Sequence, residues 1–273
     1  MIKFTIQHIK DFKHSRKPFP TITAYDYTSA QIIDEAQIPL ILVGDSASMM
    51  VYGYDTTIPV SMEEMLFLVR AVTRGATHSL VVADMPFLSY QPSIKETLNN
   101  AGLFIKEGRA SAVKIEGGTH VRKHVSSLVE NGIPVLGHVG LTPQSYHQLS
   151  GYKMQGKTVE GAQKIIDDAT ALQEAGSFGI VLECIPENLA KQITNTLSIP
   201  TIGIGSGHHC DGQIQVYHDI LGLYSDMVPS HTKRYGNFNN EIQKKLLEYK
   251  LEVESKIFPL LKQNIEKISK NKI

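Results

Sequence analysis

The chain has 273 residues, with 27 Lys and Arg against 27 Asp and Glu, so its formal net charge is zero. No basic stripe is interleaved with aromatic residues, which argues against nucleic acid or an anionic membrane as partner and favours small molecules. The length suits a single (β/α)8 barrel, which takes about 250 residues, and we predict one domain over residues 1–273.

The cysteines and the N-terminus indicate the compartment. Cys184 and Cys210 lack C-x-x-C spacing, which argues against a disulfide framework or a structural zinc site and fits a reducing environment. The N-terminus is polar and charged too early for a signal-peptide core, and no apolar run approaches the roughly 20 residues that span a bilayer. We therefore expect a cytoplasmic protein without a membrane segment.

The chain opens with a helical pattern. Ile6, Ile9 and Phe12 line one side of a short helix that ends before the first prolines, and we expect it to plug one end of a barrel. The runs predicted as strands are 21–25, 40–45, 80–84, 111–118, 135–138, 179–183 and 201–204, and an eighth strand is placed near 226–228.

Strands and helices alternate with repeated junction signals. Ile-Pro pairs at 38–39, 133–134 and 199–200 each follow a helical pattern and precede a strand, as expected because Pro blocks a helix and tolerates a strand start. Continuous apolar strands separated by helices indicate a parallel sheet covered on both faces, which right-handed crossovers close into a barrel.

The helices carry their own start signals. Ser61 with Glu64, and Ser93 with Glu96, have capping-box spacing, and Thr158 is a further predicted N-cap. Apolar residues recur with helical spacing over residues 241–268, which predicts a long C-terminal amphipathic helix, kinked at Pro259, that packs on the barrel or on a neighbouring subunit.

Charged or polar side chains follow most of the predicted strands. Because the carboxyl ends of barrel strands meet at one face, we expect these side chains to form one site. Any one of them could cap a turn or form a structural ion pair, but so many buried charges together favour function. Oxygen ligands without a Cys or His pair favour Mg²⁺ or a similar hard cation. The residues are Asp45, Asp84, Lys114, Glu116, His138 and Glu183.

Other segments have weaker signals. Residues 203–207 (Gly-Ile-Gly-Ser-Gly) are followed by His208 where a dinucleotide-binding motif needs its third glycine. We therefore expect a tight glycine turn beside the ligand instead of a dinucleotide site. Residues 208–211 (His-His-Cys-Asp) resemble a metal cluster, but adjacent residues rarely converge on one ion, so we interpret them as a loop. Cys184 alternates with Glu183 along a strand and is predicted to lie in the core. Residues 52–57 and 150–157 are predicted rim loops that cover the substrate.

A series of motifs in fixed order carries a family resemblance. They are Thr-Ala-Tyr-Asp (23–26), Val-Gly-Asp-Ser (43–46), Gly-Tyr-Asp-Thr-Thr (53–57), Asp-Met-Pro-Phe (84–87) with Ser-Tyr-Gln (89–91), Ala-Val-Lys-Ile-Glu-Gly-Gly (112–118), Gly-His-Val-Gly-Leu-Thr-Pro-Gln (137–144), Val-Leu-Glu-Cys (181–184) and Cys-Asp-Gly-Gln (210–213). With these motifs the chain resembles the ketopantoate hydroxymethyltransferase family from about residue 23 to residue 222. It departs from the family pattern at Ala47-Ser48, where Leu-Gly is usual, and at Ser206, where Ala is usual.

The resemblance implies a fold, an assembly and a reaction. The fold is a (β/α)8 TIM barrel of the phosphoenolpyruvate/pyruvate-binding kind, and the assembly is a cytoplasmic homo-oligomer, commonly a decamer. The reaction transfers a hydroxymethyl group from 5,10-methylenetetrahydrofolate to 3-methyl-2-oxobutanoate, giving 2-dehydropantoate and tetrahydrofolate in pantothenate biosynthesis.

The resemblance also implies roles for the strand-end residues. Asp45, Asp84 and Glu116 match the metal site, and Glu183 matches the base that removes the C3 proton of the substrate. The predicted substrate contacts are Asp45, Ser46, Asp84, Lys114 and His138. Three alternatives stay open: a Mg²⁺-dependent 2-oxo acid C–C lyase or mutase without folate, a Schiff base at Lys114, and a catalytically idle scaffold.

Overall fold

A closed parallel barrel forms the body of the protein. The computed structural model describes residues 3–224 and 229–259. The strands follow one another around the barrel in chain order, and the last pairs with the first, so the predicted (β/α)8 barrel is confirmed. The strands are β1 (Phe19–Thr23), β2 (Leu40–Val43), β3 (Leu80–Asp84), β4 (Ala112–Glu116), β5 (Val135–Gly140), β6 (Gly179–Glu183), β7 (Thr201–Ile204) and β8 (Gly212–Gln215).

Helices precede, connect and follow these strands, and two 3-10 turns, Thr119–Val121 and Pro143–Ser145, follow β4 and β5. The helices are α1 (Ile6–His14), α2 (Tyr27–Glu35), α3 (Ala47–Met50), α4 (Met62–Gly75), α5 (Ile94–Lys106), α6 (Arg122–Glu130), α7 (Tyr146–Leu149), α8 (Val159–Glu174), α9 (Glu187–Thr196), α10 (Tyr217–Leu221) and α11 (Phe238–Glu254).

The predicted helix starts are present. The Ser61 hydroxyl accepts from the Glu64 N–H at 3.2 Å, and the Glu64 carboxylate accepts from the Ser61 N–H at 2.7 Å, which completes a capping box. Ser93 accepts from the N–H of the third helical residue of α5 at 3.2 Å, and Thr158 caps α8 in the same way. Each cap satisfies a backbone donor that the first helical turn leaves unpaired.

The eighth strand lies elsewhere than predicted. β8 follows β7 after the short segment 205–211, which contains no helix, whereas the sequence pattern placed the strand near 226–228. Residues 225–228 lie outside the described residues. β8 reads Gly-Gln-Ile-Gln and contributes Ile214 to the core, so its apolar signal is too short to stand out in the sequence.

Helix α1 plugs the amino-terminal end of the barrel, as predicted. Ile9 is fully buried and joins the cluster of Phe19 and Leu40 from the first residues of two strands. Lys13 at the end of the helix donates to Asp211 at 2.9 Å, the residue that precedes β8. Apolar burial and one ion pair therefore close this end of the barrel and leave the carboxyl ends of the strands for a site.

Residues 218–224 and 229–259 belong to a second compact unit. It contains α11, in which no residue is buried. The helix ends at Glu254, so Pro259 does not kink it, and the remainder of the predicted helix, 260–268, lies outside the described residues. The single domain over residues 1–273 stays a prediction. Among the described residues no helix combines the length and hydrophobicity needed to cross a bilayer.

Candidate active site

The alternation of side chains along the strands places most of the site residues inside the barrel. Val82, Ala112, Leu136 and Val181 face the interior core, and the inward residues further along the same strands are charged or polar. These residues are Asp84 on β3, Lys114 and Glu116 on β4, His138 on β5 and Glu183 on β6. The strand register sets Lys114 beside Asp84 and Glu116 beside His138. The structure thus brings the predicted strand-end residues together.

Asp45 and Ser46 reach the site by a different route. Both lie past the end of β2, in the turn that leads into α3. The Asp45 N–H donates to Asp84 Oδ2 at 3.1 Å, and the hydroxyl groups of Ser46 and Tyr25 are 2.7 Å apart. The turn between β2 and α3 is therefore fixed against β3 on one side and against the segment after β1 on the other.

Lys114 lies at the centre of the charges. Its Nζ donates to Asp84 Oδ2 at 2.6 Å and to Glu116 Oε1 at 3.3 Å, and its side chain is 5% exposed. Burial alone would lower the pKa of Lys114, but the charges of Asp84, Glu116 and Asp45 outweigh burial and raise it. Lys114 is therefore an ammonium ion that two carboxylates hold in place.

The three acids differ in their proton affinity. Burial, and then repulsion from Asp84, raises the pKa of Asp45 well above its ordinary value. Burial also raises the pKa of Asp84, against the opposing effect of Lys114. For Glu116, burial is outweighed by Lys114 and His138, so its pKa is lowered. Glu116, which contacts both Lys114 and His138, is thus ionised, whereas Asp45 and Asp84 take up a proton more readily than ordinary carboxyls.

His138 lies between two carboxylates. Its Nδ1 is 3.3 Å from Glu116 Oε1 and its Nε2 is 3.3 Å from Glu183 Oε2, although neither contact has hydrogen-bond geometry. Burial and Lys114 would lower the pKa of His138, but the two carboxylates outweigh them and raise it to about 9. The side chain of Glu183 is 17% exposed, more than the other acids of the cluster, so it lies on the open side of the site.

Gln144 is a site residue for which the sequence predicted no role. Its side-chain Nε2 donates to Asp45 Oδ2 at 3.1 Å and to Met85 O at 2.9 Å, and its backbone N–H donates to Glu116 Oε2 at 3.0 Å. The Tyr90 hydroxyl lies 3.0 Å from Gln144 Oε1. Both residues belong to the family motifs, but they lie beyond the strand ends, where strand parity assigns no direction.

The acids at the site offer oxygen donors for a divalent cation. Asp84 Oδ1 is buried and has no hydrogen-bond partner, while the Asp45 backbone N–H donates to the other oxygen of the same carboxylate, so the side chains of these neighbouring acids fit a hard cation. Both oxygens of Glu116 accept hydrogen bonds, from Lys114 and from the Gln144 N–H. Asp45, Asp84 and Glu116 are not among the described groups whose ligand atoms all lie within 4.8 Å of one another. Glu116 as a metal ligand stays a prediction.

One predicted rim loop contacts the segment that leads to the other. The Tyr152 hydroxyl is 3.8 Å from Met49 Sδ, so residues 150–157 contact the segment that leads to residues 52–57. Burial, and then the charge of Asp45, raises the pKa of Tyr152 to about 12. The Gln155 N–H donates to Cys184 O at 2.9 Å and anchors the second loop at the end of β6. Substrate coverage by these loops stays a prediction.

Cys184 does not lie in the core, contrary to the prediction. It follows the last residue of β6, has a φ of +46° and is half-buried. The left-handed backbone ends the strand, so the alternation of faces no longer applies at this position. Burial, and then Glu183, raises the pKa of the thiol to about 12, which argues against a nucleophile.

A cavity of about 310 Å³ opens beside the cluster. Its lining includes Glu116, Gln144 and Tyr90, together with Phe87, His120 and His147. A wider hollow of about 560 Å³ is lined by Thr119 and residues of α8, and none of the predicted site residues lines it. Of these two cavities, the smaller is therefore the one that adjoins the charged cluster.

A parallel (β/α)8 barrel with buried acids, a lysine and a histidine at its strand ends is typical of barrel enzymes, whose active sites lie at the carboxyl face. The family model of ketopantoate hydroxymethyltransferase matches residues 3–260. The chain belongs to this family, and it is an enzyme of the transferase class.

Curated relatives cover nearly the whole chain. The 3-methyl-2-oxobutanoate hydroxymethyltransferase of Dehalococcoides mccartyi (strain CBDB1) is 53% identical over 96% of this chain and 94% of its own length. That of Carboxydothermus hydrogenoformans is 53% identical over 95% of this chain and 94% of its own. That of Clostridium beijerinckii is 47% identical over 100% of this chain and 98% of its own.

Solved structures show the same fold. Phosphonopyruvate hydrolase aligns with a TM-score of 0.61 over 98% of this chain and 95% of its own, at 12% identity. A 2,3-dimethylmalate lyase of the PEP mutase/isocitrate lyase superfamily aligns with a TM-score of 0.61 over 98% and 95%, also at 12% identity. These likenesses concern the fold alone, which is that of a (β/α)8 barrel.

Proposed function

We propose that this enzyme transfers a hydroxymethyl group from 5,10-methylenetetrahydrofolate to 3-methyl-2-oxobutanoate, giving 2-dehydropantoate and tetrahydrofolate. Family membership and relatives of about half-identical sequence support the reaction. The observation that carries the proposal is the buried ammonium of Lys114, in contact with Asp84 and beside an unpartnered carboxylate oxygen. A 2-oxo acid presents a carboxylate and an adjacent keto oxygen, which need a cationic site of this kind.

Asp45 and Asp84 are the residues that would hold Mg²⁺ or a similar cation. When bound, the cation supplies Lewis-acid polarisation of the substrate keto group. Gln144 holds Asp45 in position through its side-chain amide. Lys114 balances the charge of the substrate carboxylate, since its ammonium stays protonated between Asp84 and Glu116.

Glu183 is the proposed base for the C3 proton of the substrate. Its carboxylate lies on the open side of the cluster, 3.3 Å from His138 Nε2. His138 faces one oxygen of this carboxylate, Oε2, which leaves the other oxygen to accept the proton. Water hydrolyses the methylene group that folate carries, which breaks its two C–N bonds and gives formaldehyde and tetrahydrofolate. The substrate enolate then forms the new C–C bond to the formaldehyde carbon, and the formaldehyde oxygen takes up a proton and becomes the hydroxyl of the product. The cavity beside Glu116 and Gln144 is the space that the structure offers to the second substrate.

A turnover assay tests the reaction. Purified protein, Mg²⁺ and both substrates should give 2-dehydropantoate, detected by mass spectrometry, and omission of either substrate should abolish it. Replacement of Glu183 by Gln keeps the shape and removes the base, so the rate should fall by about 10²- to 10⁴-fold. A protein that consumes the 2-oxo acid without folate would instead be the lyase or mutase. A protein inert with every combination would be the idle scaffold.

The homo-oligomer and the cytoplasmic location stay predictions.

A further inference from the structure

Three metal-ligating side chains converge outside the strand-end cluster. Glu187 is the first residue of α9, and His208 and His209 lie in the segment between β7 and β8. Glu187 Oε1 is 2.8 Å from His208 Nδ1 and 3.4 Å from His209 Nε2. Each residue offers one ligand atom, and the three atoms lie within 4.8 Å of one another. Among the described residues, no other group of three or more His, Cys, Asp or Glu side chains meets this distance.

Backbone geometry explains how two adjacent histidines face one carboxylate. Gly205 and Gly207 both have positive φ, +62° and +76°, which turns the chain sharply before the histidines. A side chain on Gly207 would place its Cβ 2.4 Å from Glu187 Cγ, so the loop approaches α9 this closely only with glycine. The two imidazole rings lie 4.1 Å apart, between centroids, at 37° to each other.

We propose that Glu187, His208 and His209 form a second metal site, for a borderline divalent ion such as Zn²⁺, Co²⁺ or Ni²⁺. Ligands about 2.0–2.2 Å from one ion are separated by about 3 Å, which the two contacts to Glu187 already match. Imidazole nitrogen favours these ions over Mg²⁺, whereas the interior carboxylates favour Mg²⁺. Three protein ligands leave positions for water, and the exposure of the group gives the ion direct access from solvent.

The site would join two segments that already touch. The Ser206 hydroxyl donates to Leu182 O at 2.7 Å and accepts from the Ile185 N–H at 3.4 Å, so the segments after β6 and β7 are in hydrogen-bond contact. An ion held by Glu187 and the histidines would add a second link between them. Because the ion binds the folded state, it should also raise the thermal unfolding temperature.

The test uses the full chain, stripped of metal and kept in millimolar Mg²⁺ so that the interior carboxylates are occupied. Co²⁺ is titrated and followed by its visible absorption, and Zn²⁺ binding is measured by calorimetry. The wild type should bind one equivalent. His208→Ala, His209→Ala and Glu187→Gln should each weaken binding by at least about tenfold. His14→Ala, which removes an exposed histidine of α1, should bind as the wild type does.

Two outcomes would overturn the proposal. Equal affinity in the wild type and the H208A/H209A double variant, with binding lost in Asp84→Asn, would assign the ion to the interior cluster. Absence of Co²⁺ and Zn²⁺ binding in the wild type would leave the three side chains as an ion-paired surface group only.

Discussion

At the scale of single residues, the charge on Lys114 decides between two chemistries. A Schiff base requires a neutral amine, but Asp84 and Glu116 hold this side chain as an ammonium, with a raised pKa. We predict that borohydride added to protein and 3-methyl-2-oxobutanoate traps no adduct, as judged by intact mass and peptide mapping. A reduced adduct at Lys114 would establish the covalent mechanism in its place.

Gln144 offers a second test at this scale. Its side-chain amide donates hydrogen bonds to the Asp45 carboxylate and to Met85 O, just after β3. Gln144→Ala removes both hydrogen bonds, so Asp45 is free to move. Hydrogen bonds to charged groups contribute about 1.5–3 kcal/mol, so kcat/KM should fall by about 10- to 100-fold. The exposed Gln163 on α8 provides the control. Equal kinetics in Gln144→Ala and Gln163→Ala would remove Gln144 from the site.

At the scale of elements, alternation along strands predicted the interior site. Lys114 and Glu116 share the face of Ala112, and the structure places all three in the barrel interior or site. The same reasoning failed past the strand ends. Cys184 enters the left-handed region directly after β6, and β8 begins without a helix before it. Local φ angles and loop closure set these positions, and neither leaves a periodic pattern in the sequence.

Asp34 ties α2 to the start of β3. The backbone and side-chain donors of Thr77, His78 and Ser79 surround its carboxylate at 2.7–3.2 Å. Burial alone would raise the pKa of Asp34, but these hydrogen bonds outweigh burial and hold the pKa well below its ordinary value. A carboxyl with a lowered folded pKa stabilises the protein above its unfolded pKa, about 3.9, and loses that contribution as pH falls toward the folded value.

We predict that Asp34→Asn lowers the free energy of unfolding by about 3 kcal/mol at pH 7, measured in urea. The difference from the wild type should shrink below about pH 4, because Asp34 of the unfolded wild-type chain then takes up a proton that the folded carboxylate does not. Asp167→Asn, at an exposed carboxylate on α8, should change stability little at either pH. A difference for Asp34→Asn that stays constant from pH 7 to pH 3 would show that its charge is not the cause.

At the scale of the whole molecule, the sequence predicted the barrel, its plug and the residues that meet at its carboxyl face. The repeated helix-to-strand junctions predict the barrel. The residues at inward strand positions predict the site, because a closed parallel barrel brings the carboxyl ends of all its strands to one face. The sequence pattern did not predict the contact between Glu187 and the histidines at 208 and 209. It depends on contact between loops of different βα units, and on a glycine at position 207 that permits it.

The proposed mechanism requires that the enzyme remove the C3 proton of the 2-oxo acid before any transfer takes place. Proton NMR of 3-methyl-2-oxobutanoate in D₂O with protein and Mg²⁺ measures this step directly, since it does not require folate. The wild type should wash deuterium into C3, and Glu183→Gln should lose both exchange and turnover by about 10²- to 10⁴-fold. Normal exchange in Glu183→Gln would move the base to another residue of the cluster. Absence of exchange in the wild type, with or without 5,10-methylenetetrahydrofolate, would contradict the enolate mechanism itself.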